Sequence, residues 1–307
     1  MKQFHPRSKH NDNYDFDKLI ESEPTLRQYV SRNKYNNLSI DFANPEAVLA
    51  LNKSLLSYFY DIKDWKIPQG HLCPPIPGRV DYIHYIADLL SKTYNGKVPK
   101  GRYIKALDIG VGANCIYPLI GSSIYDWEFK GSDISELAIE SIKNILLSNQ
   151  NLKSNIEVIL QTNKNDIFTN IISPTDKFTF SMCNPPFHKS KKDALAGSTR
   201  KVRNLTKNKN QKANLNFGGQ SNELWCDGGE ITFIQKMIKQ SVVFKYNCFW
   251  FTTLVSKKEN LENIYKSLKK VKPFEVETIE MIQGHKITRI VAWTFLNKKE
   301  QELWTQI

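Results

Sequence analysis

Three stretches of this chain each end an apolar, strand-like run on a turn or side chain of chemical use, and their order leaves few folds open. Tyr103-Ile-Lys-Ala-Leu-Asp108 runs into the glycine turn Ile109-Gly110-Val-Gly112-Ala-Asn114. Trp127-Glu-Phe-Lys-Gly-Ser ends on Asp133, and Phe178-Thr-Phe-Ser-Met-Cys183 is followed by Asn184-Pro185-Pro186-Phe187. After Asp133 comes a helical period through Leu147. Strands alternating with helices build a doubly wound sheet that offers ligands at the carboxyl ends of its strands, where all three stations fall. The expected fold is α/β, a Rossmann-like doubly wound sheet.

The flanks add to this core. Asn44-Pro45-Glu46 is a helix start with Pro in the first turn and apolar residues recurring through Leu56. Arg79 to Leu90 repeats Tyr82, Ile83, Ile86, Leu89 and Leu90 on one face, a helix that packs on the core ahead of the first strand. Downstream, Glu230 to Phe244 reads as helix, Cys248 to Val255 as a buried strand, Lys257 to Lys270 as helix, and 275–282 with 288–296 as a terminal antiparallel pair. With 307 residues, 40% hydrophobic, the chain suits one catalytic domain plus an extension. We divide it into an α-helical N-terminal extension, 1–78, with a basic arm at its start, and a catalytic domain, 79–307.

Asn184-Pro-Pro-Phe187 suits the methylation of an exocyclic amine. Adenine N6 is a poor nucleophile because its lone pair is delocalised into the ring, and two well-aimed acceptors localise it. The Asn184 side-chain oxygen and the Pro185 carbonyl each take one N6 hydrogen, while the successive prolines, Pro185 and Pro186, hold the backbone rigid. Phe187 offers a face for an unstacked base, a contact worth roughly 1–3 kcal/mol. The bland reading is a Pro-Pro turn that ends a strand. Its upstream companions argue for the chemical one. The turn at Gly110 and Gly112, after Asp108, allows close backbone approach by a cofactor. A nicotinamide fingerprint would need a third glycine at position 115, where Cys115 stands, and Pro118 follows where a regular helix should be established. Asp133 either holds the ribose hydroxyls of an adenosine cofactor or, with Ser135, caps the helix behind it. Arg79 is either a surface residue or, following Cys73-Pro-Pro-Ile-Pro-Gly78, a partner aimed at a cofactor carboxylate. The order of stations fits an S-adenosylmethionine site.

The formal charge of +12 has a location. Residues 189–222 hold nine Lys or Arg against one acid, Asp193: Lys189, Lys191, Lys192, Arg200, Lys201, Arg203, Lys207, Lys209 and Lys212. Without apolar periodicity this is a long loop, and its start two residues beyond Phe187 makes it either a nucleic-acid-contacting arm beside the base pocket or a solvated insertion. Lys2, His5, Arg7, Lys9 and His10 form either a second basic arm or a frayed terminus. The five cysteines include no C-x-x-C pair, so neither a zinc site nor a disulfide framework is suggested, and a reducing cytoplasm is the natural setting. The N-terminus lacks an apolar signal region, and no stretch is suited to a membrane.

Longer strings then occur in order: His5-Pro6-Arg7, Tyr14-Asp15-Phe16, Asp41-Phe-Ala-Asn-Pro45, Cys73-Pro-Pro-Ile-Pro-Gly-Arg79-Val-Asp-Tyr-Ile-His84, Leu107-Asp-Ile-Gly-Val-Gly-Ala-Asn-Cys-Ile-Tyr-Pro118, Asn184-Pro-Pro-Phe-His188, Asn216-Phe-Gly-Gly-Gln220 and Glu223-Leu-Trp-Cys-Asp-Gly-Gly-Glu230. From residue 5 to about 296 the chain resembles the bacterial large-subunit ribosomal RNA adenine-N6-methyltransferases. The resemblance implies a class I S-adenosylmethionine-dependent enzyme that makes N6-methyladenosine at one position of 23S rRNA, with that RNA or a large-subunit assembly intermediate as partner. RNA rather than DNA comes from this resemblance and not from charge. It further implies that Arg79, Gly110, Asn114, Asp133 and a polar residue near Thr162 or Asn163 surround the cofactor, while Asn184 to Phe187 hold the adenine. Many class I enzymes place an acid directly after strand three, whereas here the nearest, Asp166, comes several residues late. Trp225 and Phe217 lie in the family strings beside the basic loop, and either stack on RNA or pack in the interior.

Overall fold

In the computed structural model, residues 4–190, 225–283 and 286–306 are described. The first helix, α1 (Phe16–Ser22), is followed by a two-turn 3-10 segment (Pro24–Tyr29) and a small antiparallel hairpin, β1 (Val30–Arg32) with β2 (Leu38–Ile40). Asn44 then caps α2 (Pro45–Tyr60) by accepting from the backbone N–H groups of Glu46 and Ala47, with Pro45 in the first turn where its missing donor is not needed. After a strap of irregular chain comes α3 (Ile76–Ser91), whose buried residues include Tyr82, Ile83, Ile86, Leu89 and Leu90, the stripe that its period anticipates. The 78/79 boundary falls inside the first turn of α3, so the helix that carries Arg79 begins in the extension.

Beyond α3 the chain alternates as expected: β3 (Lys105–Ile109), α4 (Ile116–Tyr125), β4 (Glu128–Asp133), α5 (Glu136–Ser148), the short α6 (Gln150–Lys153), β5 (Ile156–Leu160) and β6 (Phe178–Cys183). After the basic segment come α7 (Gly229–Ser241), β7 (Cys248–Val255), α8 (Leu261–Val271), the hairpin β8 (Glu275–Gln283) with β9 (Lys286–Thr294), and α9 (Lys298–Trp304). One seven-stranded sheet has the order β5-β4-β3-β6-β7-β9-β8. Strands β3 to β7 pair in parallel, and β9 is antiparallel to both of its neighbours. The direction of winding reverses between β3 and β6, where a doubly wound sheet opens a crevice for ligands.

Every residue of β6 and β7 is buried, which explains why both read as unbroken apolar runs rather than as alternations. On one face of the sheet Trp127 lies against Tyr125 (4.7 Å, stacked) and edge-on to Phe180 (5.2 Å). α4 approaches so closely that a Cβ on Gly121 would sit 2.5 Å from the Phe129 ring. The other face is filled by Phe168, Phe251, Ile234, Met237 and Trp293.

The residues expected to be a basic arm or a frayed end, from His5 to His10, instead form a clasp. His5 and His10 are buried. Arg7 donates to the Tyr125 hydroxyl (3.1 Å) and the His84 carbonyl (2.8 Å) and pairs with Asp88 (2.7 Å). His5 reaches Asp88 as well (2.8 Å), while its backbone N–H donates to Asp81 (3.1 Å). Arg7 is thus engaged on α3, while the exposed Lys9 donates to the Phe59 carbonyl on α2 (3.0 Å). Lys2 lies outside the described residues.

Glu230, in the first turn of α7, is buried and accepts three hydrogen bonds: from the Ser256 backbone N–H (2.8 Å), the Ser256 hydroxyl (2.5 Å) and the Asn260 side-chain amide (2.6 Å). It ties α7 to the chain leaving β7. Glu230→Ala should lower unfolding stability by on the order of 3 kcal/mol, because three donors lose their buried acceptor. Urea denaturation checks this, and a loss under about 1 kcal/mol would show that water replaces the carboxylate.

Candidate active site at the carboxyl edge of the sheet

The glycine turn after β3 is built by backbone bonds to the end of β4. The N–H groups of Gly110 and Val111 donate to the Ser132 carbonyl (2.9 and 3.0 Å), and that of Gly112 donates to Asp133 Oδ2 (2.9 Å). Gly110 and Gly112 have φ of 69° and 65°, a conformation that favours glycine, and a Cβ at Gly110 would enter open space with no atom within 4 Å. That space is the mouth of a cavity of about 460 Å³.

Asp133 meets both sequence alternatives in part. Its Oδ1 accepts from Ser135 N–H (2.9 Å) and its Oδ2 from Gly112, yet the carboxylate also lines the cavity. The cap of α5 is Ser135, whose hydroxyl accepts from Ala138 N–H (3.2 Å). Burial pushes the Asp133 carboxyl up, and the backbone donors of Ser135 and Gly112 pull it down. Asn114 uses its side-chain oxygen on Ile116 N–H (3.1 Å), its carbonyl accepts from Trp65 Nε1 (2.8 Å), and it too lines the cavity.

Arg79 comes from the first turn of α3 and lines the same cavity. One guanidinium nitrogen donates to the Tyr117 hydroxyl (2.8 Å), the group lies 5.6 Å from that ring's centre, and its buried Nε has no partner. Tyr82, edge-on to Tyr117, hydrogen-bonds Thr252, which in turn donates to the Ser181 carbonyl, so α3 is keyed to β6 and β7.

Asp108 is not on the cavity wall. It lies fully buried beneath the turn, its Oδ2 without a hydrogen-bond partner. Burial, reinforced by Asp133 and opposed by Arg79, pushes its carboxyl up to about 8, so it is mostly protonated at neutral pH. Asp108, counted among the cofactor-binding candidates because it precedes the glycine turn, stands off the cavity wall, which Ile109 and Gly110 line instead. Near Thr162 and Asn163, where a polar cofactor residue is expected, the cavity is met by their neighbour Gln161 and not by these two. Both are exposed and absent from the lining, because the chain after β5 turns back: Asp166 N–H donates to the Asn163 carbonyl (2.9 Å) and the Asn163 side-chain amide to Asp166 (2.7 Å). The turn brings Gln161, Asn165 and Asp166 to the cavity instead. The acid that comes late in sequence is thereby delivered in space.

The Asn-Pro-Pro-Phe segment leaves β6 at the cavity's other end. Asn184 and Pro186 line it, Pro185 is buried, and Phe187 stands at the rim, 37% exposed, its ring centre 4.4 Å from that of His188. His188 and Trp225 form a parallel bridge, and Cys226 N–H donates to the His188 carbonyl (3.2 Å), so both ends of the basic segment are tied beside this rim. Trp225 lines the cavity. Lys191, Lys192, Arg200, Lys201, Arg203 and Lys207, with Lys209, Lys212 and Phe217, lie outside the described residues. Sequence reasoning missed His71 and Leu72, which close the cavity from the strap before α3 and carry no spacing signal. Among the described residues no group of His, Cys, Asp and Glu is arranged for a metal, and no helix is long and apolar enough to cross a membrane.

The residues suit the expected cofactor: a glycine turn open to a ligand, a carboxylate with spare lone pairs beside it, and a guanidinium with an unpartnered nitrogen. Sheet order and cavity together define a class I methyltransferase that uses S-adenosylmethionine. A family model described as RNA methyltransferase matches residues 1–297. Ribosomal RNA large subunit methyltransferase F of Photobacterium profundum is 52% identical over 321 residues, covering 99% of this chain and 95% of its own. The Flavobacterium johnsoniae protein of the same name is 54% identical over 302 residues, 98% of this chain and 96% of its own. Among solved structures, the hMettl16 catalytic domain in complex with MAT2A 3'UTR hairpin 1 superposes with a TM-score of 0.79 at 28% identity, covering 96% of each chain. The N-terminal domain of human METTL16 in complex with SAH gives 0.74 at 26%, over 96% of this chain and 100% of that one. The chain belongs to the RNA methyltransferase family.

Proposed function

We propose that this protein methylates N6 of one adenosine in 23S rRNA, in the cytoplasm, on the free RNA or on a large-subunit assembly intermediate. The observation that carries the reading is the position of Asn184 and Pro186: the amine-holding motif and the glycine turn share one cavity. The relatives named as ribosomal RNA large subunit methyltransferase F support the substrate class. In this reading residues 1–78 are an extension folded onto a methyltransferase domain that starts at 79 and lends its strap to the cofactor site.

Arg79 pairs with the cofactor carboxylate, Asp133 takes ribose hydroxyls, Gly110, Gly112 and Asn114 bring backbone and side chain against it, and Asp166 faces its adenine. Bound there, S-adenosylmethionine supplies an electrophilic methyl group. The target adenosine is flipped onto Phe187 at the rim, and Asn184 Oδ1 with the Pro185 carbonyl holds its amine. The proton released from the methylated nitrogen goes to water, so no strong base is required.

The test is incubation of the purified protein with labelled S-adenosylmethionine and ribosomal RNA from cells lacking this enzyme, followed by nucleoside identification. Label in N6-methyladenosine of the large-subunit RNA is expected. Cofactor binding without label in free RNA or in assembly intermediates would overturn the reading in favour of a catalytically silent assembly factor. The basic segment contributes separately: Lys201, Arg203 and Lys207 replaced together by alanine should weaken RNA binding and reduce the slope of log affinity against log salt by about 2, since each phosphate contact contributes roughly 0.7–0.9. Binding titrations at several salt concentrations measure it, and an unchanged slope would make these cations bystanders.

A further inference from the structure

The strap between α2 and α3 belongs to the N-terminal extension, yet it reaches the cofactor cavity and is pinned on both sides of the point where it does so. Trp65, buried, donates from Nε1 to the carbonyl of Asn114 in the turn after β3 (2.8 Å). At the other side the Asn52 side-chain amide donates to the Pro74 carbonyl (2.9 Å) and Cys73 Sγ (3.1 Å). Between these pins a tight turn, closed by His71 N–H to the Pro68 carbonyl (3.1 Å) and eased by Gly70 at φ 81°, puts His71 on the cavity wall. His71 is 6% exposed, and its Nδ1 has no hydrogen-bond partner.

A buried imidazole without a protein partner is costly unless a ligand completes it. The neighbour that says which ligand is Asp133, which lines the same cavity. Each oxygen of Asp133 already accepts one backbone N–H, from Gly112 or Ser135, which leaves lone pairs for incoming hydroxyl hydrogens. A ribose hydroxyl that gives its hydrogen to Asp133 exposes an oxygen that needs a donor, and an imidazole N–H is the right kind.

We propose that His71 is a further cofactor-binding residue, donating a ring N–H to a ribose hydroxyl of S-adenosylmethionine that Asp133 also holds. The inference rests on the reading of this cavity as the S-adenosylmethionine site. It makes the extension a part of the cofactor site rather than an RNA-facing appendage alone.

Calorimetric titration with S-adenosylhomocysteine and its 2′-deoxy and 3′-deoxy analogues tests it, on wild type, His71→Leu and His71→Gln, each first checked by thermal unfolding. His71→Leu should weaken S-adenosylhomocysteine binding by about tenfold, and His71→Gln, which keeps a donor, by less. One deoxy analogue should bind wild type worse than the parent compound, and that penalty should shrink in His71→Leu, which a purely structural role would not produce. Binding by His71→Leu within twofold of wild type, or an equal deoxy penalty in both proteins, would overturn the proposal while leaving the site reading intact. Failure of wild type to bind S-adenosylhomocysteine would overturn the site reading itself. Should His71→Leu not fold, the same comparison with His71→Ala, which also removes the donor, decides.

Discussion

Replacing Asn184 with alanine is expected to cut turnover by about 10²-fold or more while affinity for S-adenosylmethionine stays within a few fold, because one preorganised polar partner of the reacting group is lost. The side chain leaves the end of β6, a strand buried at every residue, and Pro185 and Pro186 fix the backbone behind it. Alanine keeps that rigid frame and removes only the acceptor. The Pro185 carbonyl then holds one amine hydrogen alone, and the nitrogen lone pair stays conjugated with the ring. Single-turnover methylation of ribosomal RNA with saturating cofactor isolates the effect, and direct titration of the cofactor controls for it. A variant that retains more than about a tenth of the wild-type rate would show that Asn184 is not the essential acceptor.

The catalytic half of the fold was legible because it is written in local signals. Buried strands gave unbroken apolar runs, and β7 was read with its observed limits of Cys248 and Val255. Glycine and proline marked the ends of β3 and β6, where positive φ and a rigid exit are needed. What escaped depends on contacts distant in sequence. The clasp at His5 and Arg7 reads as a solvated basic end because its partner, Asp88, stands 83 residues from His5. Thr162 and Asn163 had the right distance from β5 but the wrong direction, since the turn that closes at Asp166 cannot be counted from spacing. Asp108 has the right residue type, yet strand alternation places it under the glycine turn rather than on the wall. The hairpin of β1 and β2, three residues a side and half of them exposed, is too short for the alternation in Leu38-Ser39-Ile40 to reveal it.

Stability should fall steeply as pH drops below about 6.5, and the clasp is the cause. Burial pushes His84 down to about 3 and His10 down to about 4, the latter aided by Lys9, and it lowers His5 against the pull of Asp88. Above about pH 6.5 these rings are neutral in both folded and unfolded chains and contribute no slope. Below that value the unfolded chain takes up protons that the folded chain refuses, so folding loses about 1.4 kcal/mol per pH unit for each such histidine until the folded value is reached. Asp108 works the other way. Its folded value of about 8 lies above the unfolded one, so between roughly pH 4 and 8 acidification returns about 1.4 kcal/mol per unit. Three histidines against two raised carboxyls, Asp108 and Asp133, leave a net loss on acidification below pH 6.5, whereas above it Asp108 makes stability decline as pH rises. A maximum near pH 6.5 follows. Urea midpoints measured from pH 4.5 to 8 locate it, and an equal or higher midpoint at pH 5 than at pH 6.5 would contradict the assignment. His10→Asn should flatten the acid limb specifically. Its ring bridges the Tyr14 and Tyr60 hydroxyls (3.0 and 2.8 Å), so the variant loses part of the plateau stability but sheds one of the protons that drives the slope. An acid slope unchanged in His10→Asn would place the titrating group elsewhere.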